Sequence, residues 1–297
     1  MTQLSFDLRP VPRVLSYGGG LDSFAMLVEA IRRGDKPDMV VFVDVGHPDD
    51  PGEWPGTYRH VREVAMPLCA QHGIEFVTID SSTYPVRDAR SLFAWLEARK
   101  QIPMAGPNRI CTTVAKVERF ERWAADRFGA GAEVEVWIGF EAGEEARAEK
   151  DPNAGGGKAR KGGIARRNRF PLMDWRLCRC RCEAAVRAAG HPVPRKSACT
   201  FCPYASKGDW QTLARELPET FARVAALEAD KPPTAKNGIK LSIMGFRTVK
   251  RADGTKTHKA PPLAEFIQGT YRAKPNPCSV CGASRRATKA TGCEYLG

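Results

Sequence analysis

Residues 13–34 read RVLSYGGGLDSFAMLVEAIRRG, and this stretch decides the fold that we expect. A short apolar run at residues 13–17 leads into three consecutive glycines, and the residues after them repeat apolar side chains at helical spacing until Gly34. Glycines let the backbone approach an anion and point several N–H groups at it, and the following helix adds the positive end of its dipole. The stretch therefore predicts a strand, a phosphate-binding loop and a helix.

The predicted phosphate loop covers residues 16–23. It follows neither the GxGxxG pattern nor the Walker pattern with its lysine, so the glycines alone are a weak indicator. A purely structural role also stays open, because Asp22 and Ser23 lie where a helix N-cap is expected. The residues expected to bind the nucleotide are Ser16, Tyr17, Gly18, Gly19, Gly20, Leu21, Asp22 and Ser23.

Further apolar runs alternate with segments of helical periodicity. The predicted strands are residues 39–46, 74–80 and 133–140, and the predicted helices are residues 58–73, 91–102 and 115–129. Such alternation favours the α/β class, with a Rossmann-like, doubly wound and mostly parallel sheet. Sheets of this type bind ligands at the carboxyl ends of their strands, where the glycine loop, Asp44 and the segment after Ile138 are expected to lie.

The rest of the chain contains a polar loop and a cysteine-rich C-terminal region. Residues 151–169 are glycine-rich and basic, and we predict a mobile loop there rather than a core element. Residues 239–251 and 255–259 flank an Asp253-Gly254 turn and predict a hairpin. We expect a nucleotide-binding domain at residues 1–175 and a metal-binding, cysteine-rich region at residues 176–297.

The composition is that of a globular protein with a strong positive charge. Of the 297 residues 42% are hydrophobic, and none of the apolar runs approaches the roughly 20 residues that a membrane span needs. The first residues have no signal-peptide core, so we expect a cytoplasmic protein without a membrane partner. A formal net charge of +12 favours partners that carry phosphate, either a nucleotide or a nucleic acid, although a generally basic surface is the alternative.

Six short motifs, in the same order, resemble those of the phosphoadenosine phosphosulfate (PAPS) reductase-like branch of the PP-loop ATP pyrophosphatases. The first, SYGGGLDS, is similar to the SYGGGxxS form of their phosphate loop, with Gly18 in place of the family serine. The resemblance spans residues 13–221. The other motifs are VDVGHPDDPGEWPGTY at 43–58, NRICTTVAKVERF at 108–120, IGFEAGEEAR at 138–147, RFPLMDW at 169–175 and KSACTFCPY at 196–204.

The resemblance implies a PP-loop fold that binds ATP and Mg²⁺. It implies that Asp22 or Asp44 helps to place the magnesium ion, and that Lys116 and Arg147 neutralise phosphate or sulfate charge. Asp22, Lys116 and Arg147 are thus the expected catalytic residues. Without the ordered motifs, Lys116 and Arg147 would be interpreted as ordinary surface charges. Other positions that match the motifs are Gly46, Thr57, Tyr58, Arg109, Gly139 and Glu144, of which Gly46 and Gly139 are expected to join Asp44 at the nucleotide.

Ten cysteines, eight of them at or after Cys178, favour metal ligation or redox chemistry over disulfides in a reducing cytoplasm. Cys199 and Cys202 form a CxxC pair whose sulfurs can face one metal. In iron–sulfur members of the family that the chain resembles, a cysteine in the position of Cys111 joins this pair. Taking Cys182 as the fourth ligand, we expect a [4Fe–4S] cluster, with structural zinc as the alternative because thiolates suit both.

A second set of cysteines, Cys278, Cys281 and Cys293, follows near the C-terminus. With Cys178 or Cys180 it would form a zinc site, as in a zinc knuckle. A redox role is the alternative, since PAPS reductases carry a reactive cysteine on a C-terminal tail, which the GCEYLG ending resembles only faintly.

Three functions stay open at this point. The first is an ATP pyrophosphatase that adenylates a substrate for sulfur transfer, most similar to those of DNA phosphorothioation systems and phages. Its expected partners are DNA, a cysteine desulfurase and other DNA-modification proteins. The second is a sulfonucleotide reductase that releases sulfite from PAPS or APS. The third is a non-catalytic, zinc-containing nucleic-acid-binding protein.

Overall fold

The computed structural model describes residues 10–104, 110–159, 161–231, 242–243, 247–250, 256–259, 261–270, 278 and 280. The strands are β1 (Arg13–Tyr17), β2 (Met39–Val43), β3 (Glu75–Ile79), β4 (Glu133–Trp137), β5 (Ala165–Arg169), β6 (Arg247–Lys250) and β7 (Lys256–Lys259). The α-helices are α1 (Leu21–Arg33), α2 (Pro55–His60), α3 (Met66–Gln71), α4 (Leu92–Ala98), α5 (Ile110–Thr112), α6 (Glu118–Phe128), α7 (Glu145–Ala148), α8 (Pro171–Asp174), α9 (Arg179–Ala188), α10 (Lys207–Glu216), α11 (Pro218–Asp230) and α12 (Leu263–Phe266). Two π-helical segments, Val61–Ala65 and Thr113–Val117, precede α3 and α6.

Five parallel strands form one sheet in the order β3-β2-β1-β4-β5. The predicted strands are confirmed as β1 to β4, and the doubly wound α/β fold with them. In β1, Val14 and Leu15 are fully buried on opposite faces of the sheet, because helices cover both sides. Val14 belongs to the core under α6, and Leu15 to the core under α1 and α9.

Helix α1 ends where the sequence predicts. Gly34 adopts the left-handed conformation (φ 69°) and donates its N–H to the carbonyl of Ile31 at 3.1 Å, a common helix C-cap. The helix predicted at residues 58–73 is also confirmed, with a π-helical segment ahead of Pro67, where proline cannot continue the regular hydrogen-bond ladder.

Residues 165–169 form the edge strand β5, which corrects the loop predicted over 151–169. Its sequence, ARRNR, has no apolar alternation, because β5 pairs with β4 on one side only and is held by polar contacts. Asn168 donates to both carboxylate oxygens of Asp151, at 2.9 and 3.0 Å, and Arg167 pairs with Glu135 at 3.1 Å. The preceding Ile164 is buried.

The C-terminal part adds a third core. Helices α4, α10, α11 and α12 bury Leu96, Trp210 and Leu227. The predicted hairpin is confirmed as the antiparallel pair β6–β7, while its Asp253-Gly254 turn lies outside the described residues. Helix α9 packs on α1, so residues on both sides of position 175 share a core, and the proposed domain division stays a prediction. Among the described residues, no helix is long and apolar enough to cross a membrane.

Candidate functional site

The glycine loop joins the end of β1 to the start of α1. Gly20 is the N-cap residue, so neither Asp22 nor Ser23 caps the helix. Instead, the Ser23 hydroxyl accepts a hydrogen bond from the Gly18 N–H and donates one to the Gly20 carbonyl, both at 3.1 Å. The loop therefore folds over the first turn of α1, with the helix dipole behind it, as an anion site requires.

Close packing also explains two of the three glycines. Gly19 is left-handed (φ 70°), and a Cβ atom there would lie 2.5 Å from Cγ2 of Thr57. A Cβ atom on Gly20 would lie 2.6 Å from Oγ of Ser197. Thr57 and Ser197 thus cover the loop, and any larger residue at Gly19 or Gly20 would push them away.

The loop lies at the point where the strand order reverses. Strand β1 has β2 on one side and β4 on the other, and ligands of open α/β sheets bind in the crevice at such a point. A cavity of about 110 Å³ opens there, between the ends of β1, β2 and β4. Its lining residues are Ser16, Tyr17, Gly18, Val43, Lys116, Val117, Phe120, Val136, Ile138 and Arg166.

Some predicted loop residues contribute to the core as well as to the crevice. The Tyr17 ring packs edge-on against Phe42 and Phe76, with centroids 6.5 and 5.7 Å apart, and Leu21 is buried in the same core. Gly139 lets the segment after β4 approach α1, since a Cβ atom there would lie 3.3 Å from the Ser23 nitrogen. Nucleotide binding by these residues stays a prediction.

Asp44, directly after β2, organises the neighbouring loop. Its Oδ1 accepts hydrogen bonds from the Gly46 N–H and the Tyr58 hydroxyl, both at 2.8 Å. The same hydroxyl accepts the N–H groups of Gly52 and Glu53 at 3.1 Å. Burial, and then the Asp44 charge, raise the pKa of Tyr58, which keeps the phenol protonated as a donor.

Asp22 forms a salt bridge that the sequence does not indicate. Arg179, the first residue of α9, donates to Oδ1 and Oδ2 of Asp22 at 2.8 and 2.6 Å. Beside this pair, Oε2 of Glu141 is buried with no hydrogen-bond partner among the described residues. Burial, and then the Asp22 charge, raise the pKa of Glu141 to about 7. Arg179 and Glu141 are thus site residues that sequence reasoning missed.

The two predicted cations lie in different surroundings. Lys116 lines the crevice, and its Nζ lies 3.4 Å from Oε1 of the buried Glu53. Arg147 is half-exposed on α7, pairs with Glu144, and lies over the Phe140 ring at 4.2 Å. The arginine that lines the crevice is Arg166 of β5, and not Arg147. The sequence predicted only a polar loop at Arg166.

Two of the four predicted cluster ligands, Cys111 and Cys199, act electrostatically on Lys116, and Cys202 follows Cys199 in the same turn. The backbones of Cys199 and Glu53 pair in an isolated antiparallel β-bridge. The Cys199 Sγ lies 3.9 Å from Oε1 of Glu53. Burial raises the pKa of Cys199, and Glu53, Cys202 and Cys111 raise it further, against the opposing effect of Lys116. The thiols of Cys111, Cys199 and Cys202 are therefore electrostatic neighbours.

Cys182 lies elsewhere. It is fully buried in the core shared by α1 and α9, whereas Cys111 and Cys199 pack against the core of α4, α10 and α11. Burial, and then Asp22, raise the pKa of its thiol. The structure does not bring Cys182 to the other three thiols, because the apolar packing of α9 on α1 takes it to the phosphate-loop side.

A separate cluster joins Cys178, Cys180 and Cys278, all buried. Cys281, Cys293 and Arg109 lie outside the described residues. Within the part of the chain that the structure describes, no group of three or more His, Cys, Asp or Glu side chains is arranged to hold a metal ion. Both metal sites therefore stay predictions.

No protein-family model and no curated protein matches the chain. Among solved structures, the chain is similar to the U34-tRNA thiolase NcsA from Methanococcus maripaludis with its [4Fe-4S] cluster, at 15% identity and a TM-score of 0.43. The match covers 74% of this chain and 72% of that one.

Proposed function

We propose that this protein is an ATP-using enzyme of the PP-loop class that adenylates a substrate for sulfur transfer. One observation carries the proposal. Lys116 lines the crevice beside the glycine loop and also contacts Glu53, which borders the thiol of Cys199. A single ammonium thus links a phosphate-binding loop to a group of three cysteines.

The crevice suits the phosphates of a nucleotide. The glycine loop lies at the N-terminus of a 13-residue helix, at the switch point of the sheet. Lys116 and Arg166 add positive charge on one side of the cavity. ATP would place its phosphates over the loop, and Lys116 would neutralise charge that develops on them during cleavage.

The carboxylates beside the loop fit a magnesium ion, which prefers oxygen ligands. Oε2 of Glu141 is buried without a hydrogen-bond partner among the described residues and lies beside Asp22. Arg179 donates to both oxygens of Asp22, and Asp44 accepts two hydrogen bonds through Oδ1, so Glu141 supplies the open oxygen, with Asp22 or Asp44 as its partner. When bound, Mg²⁺ would neutralise the triphosphate.

Thiolates bind both iron–sulfur clusters and zinc, but among the described residues no three such side chains are arranged around a single metal ion, which favours the cluster. The ligands of a [4Fe–4S] cluster bind four different irons and do not need to converge on one point. When bound, the cluster would hold or deliver sulfur. Cys111, Cys199 and Cys202 would hold it, and Lys116 would balance their negative charge.

For the substrate, we favour the phosphate backbone of DNA. A net charge of +12 and the basic sequences of residues 151–169 and of the β6–β7 hairpin suit phosphate contacts. A backbone oxygen would attack the α-phosphate of ATP, and pyrophosphate would leave. The terminal sulfur of a persulfide supplied by a cysteine desulfurase would then attack the activated phosphorus, and AMP would leave with that oxygen. Excess cysteine thiol would reduce the remaining S–S bond and leave the phosphorothioate.

The experiment is anaerobic incubation of the purified protein with ATP, Mg²⁺, a cysteine desulfurase and cysteine, with and without DNA. We expect pyrophosphate release, and phosphorothioate linkages in the DNA on digestion and mass spectrometry. Sulfite release from PAPS or APS with thioredoxin, and inertness to ATP, would point to a sulfonucleotide reductase instead. A zinc-containing protein that is inert to all three nucleotides yet binds DNA would be the non-catalytic binding protein.

A further inference from the structure

Glu53 is a deeply buried carboxylate with one unpartnered oxygen. Its side chain is 1% exposed. Oε1 is shared by the Lys116 ammonium at 3.4 Å and the Cys199 thiol at 3.9 Å. Oε2 is buried and has no hydrogen-bond partner among the described residues. Leaving a buried polar group without a partner costs stability, and more so when the group is charged, so this oxygen points to a missing ligand.

The backbone fixes Glu53 beside the CxxC turn. Glu53 and Cys199 pair through their backbones in an antiparallel β-bridge, and the Thr200 N–H donates to the Gly52 carbonyl at 2.9 Å. On the other side, the Glu53 N–H donates to the Tyr58 hydroxyl at 3.1 Å. These contacts hold the Glu53 carboxylate beside the Cys199 thiol, so both side chains could serve the same cluster.

The local charges suit four anionic ligands. The Lys116 ammonium lies 3.4 Å from Oε1 of Glu53 and offsets part of the negative charge of the carboxylate and the nearby thiolates. Cys182, the ligand expected from the sequence, lies in the other core.

We infer that Glu53, through Oε2, is the fourth protein ligand of a cluster held by Cys111, Cys199 and Cys202. This inference rests on the proposed function, which assigns a [4Fe–4S] cluster to the three thiols. A carboxylate is a harder ligand than a thiolate, so the iron that it binds is held less tightly than the other three.

The test compares Glu53→Gln, Glu53→Cys, Cys182→Ala and the matched control Glu63→Ala, an exposed carboxylate that pairs only with Arg62 among the described contacts. Each protein is reconstituted anaerobically with iron and sulfide. Iron and sulfide content, the visible spectrum and the EPR spectrum of the reduced protein are recorded, and far-UV circular dichroism reports folding.

We expect about four irons per chain in the wild type. Glu53→Gln, which keeps the side-chain shape, should bind about three irons after mild oxidation and change the EPR signal. Glu53→Cys should restore the fourth iron with g-values unlike those of the wild type, while Cys182→Ala and Glu63→Ala should match the wild type.

The inference is overturned if folded Glu53→Gln and Glu53→Cys both match the wild type, or if Cys182→Ala loses the cluster. A wild type that binds zinc and no cluster would overturn this inference and the cofactor of the proposed function, whereas a cluster without pyrophosphate release would leave the ligand assignment intact.

Discussion

The Lys116 ammonium lies 3.4 Å from Oε1 of Glu53, although 63 residues separate the two in the sequence. The pair lies between the crevice beside the glycine loop and the cysteine group. Lys116 belongs to the π-helical segment Thr113–Val117, and Glu53 to the loop after β2. Any displacement of Lys116 therefore affects both the phosphate loop and the thiols.

Lys116→Met should abolish most of the catalysis. Loss of a preorganised charge at a transition state lowers kcat by about 10²–10³-fold, and we expect pyrophosphate release to fall by at least the lower figure. The matched control is Lys36→Met, since Lys36 is a surface residue that donates to the His72 carbonyl at 3.1 Å. Equal rates of pyrophosphate release by the two variants would contradict the role of Lys116.

Gly19→Ala should weaken nucleotide binding, and Gly34→Ala should not. Both glycines are left-handed, with φ of 70° and 69°, so each substitution should cost about 1–2 kcal/mol of stability. Only at Gly19 does the new methyl group meet another side chain, that of Thr57, while nothing lies within 4 Å at Gly34. We expect calorimetric titration with ATP to show at least a roughly tenfold higher Kd for Gly19→Ala alone. The same Kd in both variants would mean that the loop does not bind the nucleotide.

His60 should make the fold less stable in mild acid. Its ring packs edge-on against Phe24 with centroids 4.5 Å apart, and burial, then His191, lower its pKa from 6.5 to about 4. Between these values the unfolded chain binds a proton that the folded chain does not, so the free energy of unfolding falls as the pH falls. The pKa difference corresponds to a loss of up to about 3 kcal/mol.

Urea unfolding at pH 7 and pH 4.5 measures this loss. His60→Leu should reduce the difference in the free energy of unfolding between the two pH values relative to the wild type. If the variant loses as much stability in acid as the wild type, another group is responsible.

Arg223→Met should destabilise the protein, because Arg223 holds α11 against the loop after β2. Its guanidinium contacts Asp50 at 2.5 Å and Glu97 at 2.5 Å, and the Asp50 side chain is only 5% exposed. Removing one partner of a buried pair costs about 3–5 kcal/mol; since Arg223 is itself partly exposed, we expect about 2 kcal/mol in urea unfolding. Arg62→Met, which breaks a surface pair with Glu63, should cost less than about 1 kcal/mol. Similar losses in both variants would show that Asp50 does not depend on Arg223.

The sheet was predictable because its central strands are buried on both faces and read as apolar runs. Strand β5 was not, since an edge strand with one neighbour is held by Asn168 and Arg167 through polar contacts that leave no periodic pattern. The glycine loop was predictable from local composition. Its partners were not, because Asp22 meets Arg179 across 157 residues, and only the fold brings them together.

The cysteines also show that spacing in the sequence predicts only part of a site. The CxxC spacing of Cys199 and Cys202 is a short-range signal, whereas Cys111 shares their surroundings because it packs, like Cys199, against the core of α4, α10 and α11. Helix packing decides which cysteine near α9 lies close to these thiols. Because α9 packs on α1, Cys182 lies in the core between those two helices and not beside the CxxC pair. Glu53 has no sequence signal as a metal ligand, because its burial and its unpartnered oxygen exist only in the folded chain.

The most direct measurement of the central claim is the product distribution from ATP labelled at the α-phosphate, incubated anaerobically with the protein, Mg²⁺ and DNA and separated by chromatography. Cleavage between the α- and β-phosphates predicts labelled AMP or labelled adenylated DNA with pyrophosphate, and no labelled ADP. Lys116→Met should leave the label in ATP. Labelled ADP as the product, or label that stays in ATP with the wild type, would contradict the account.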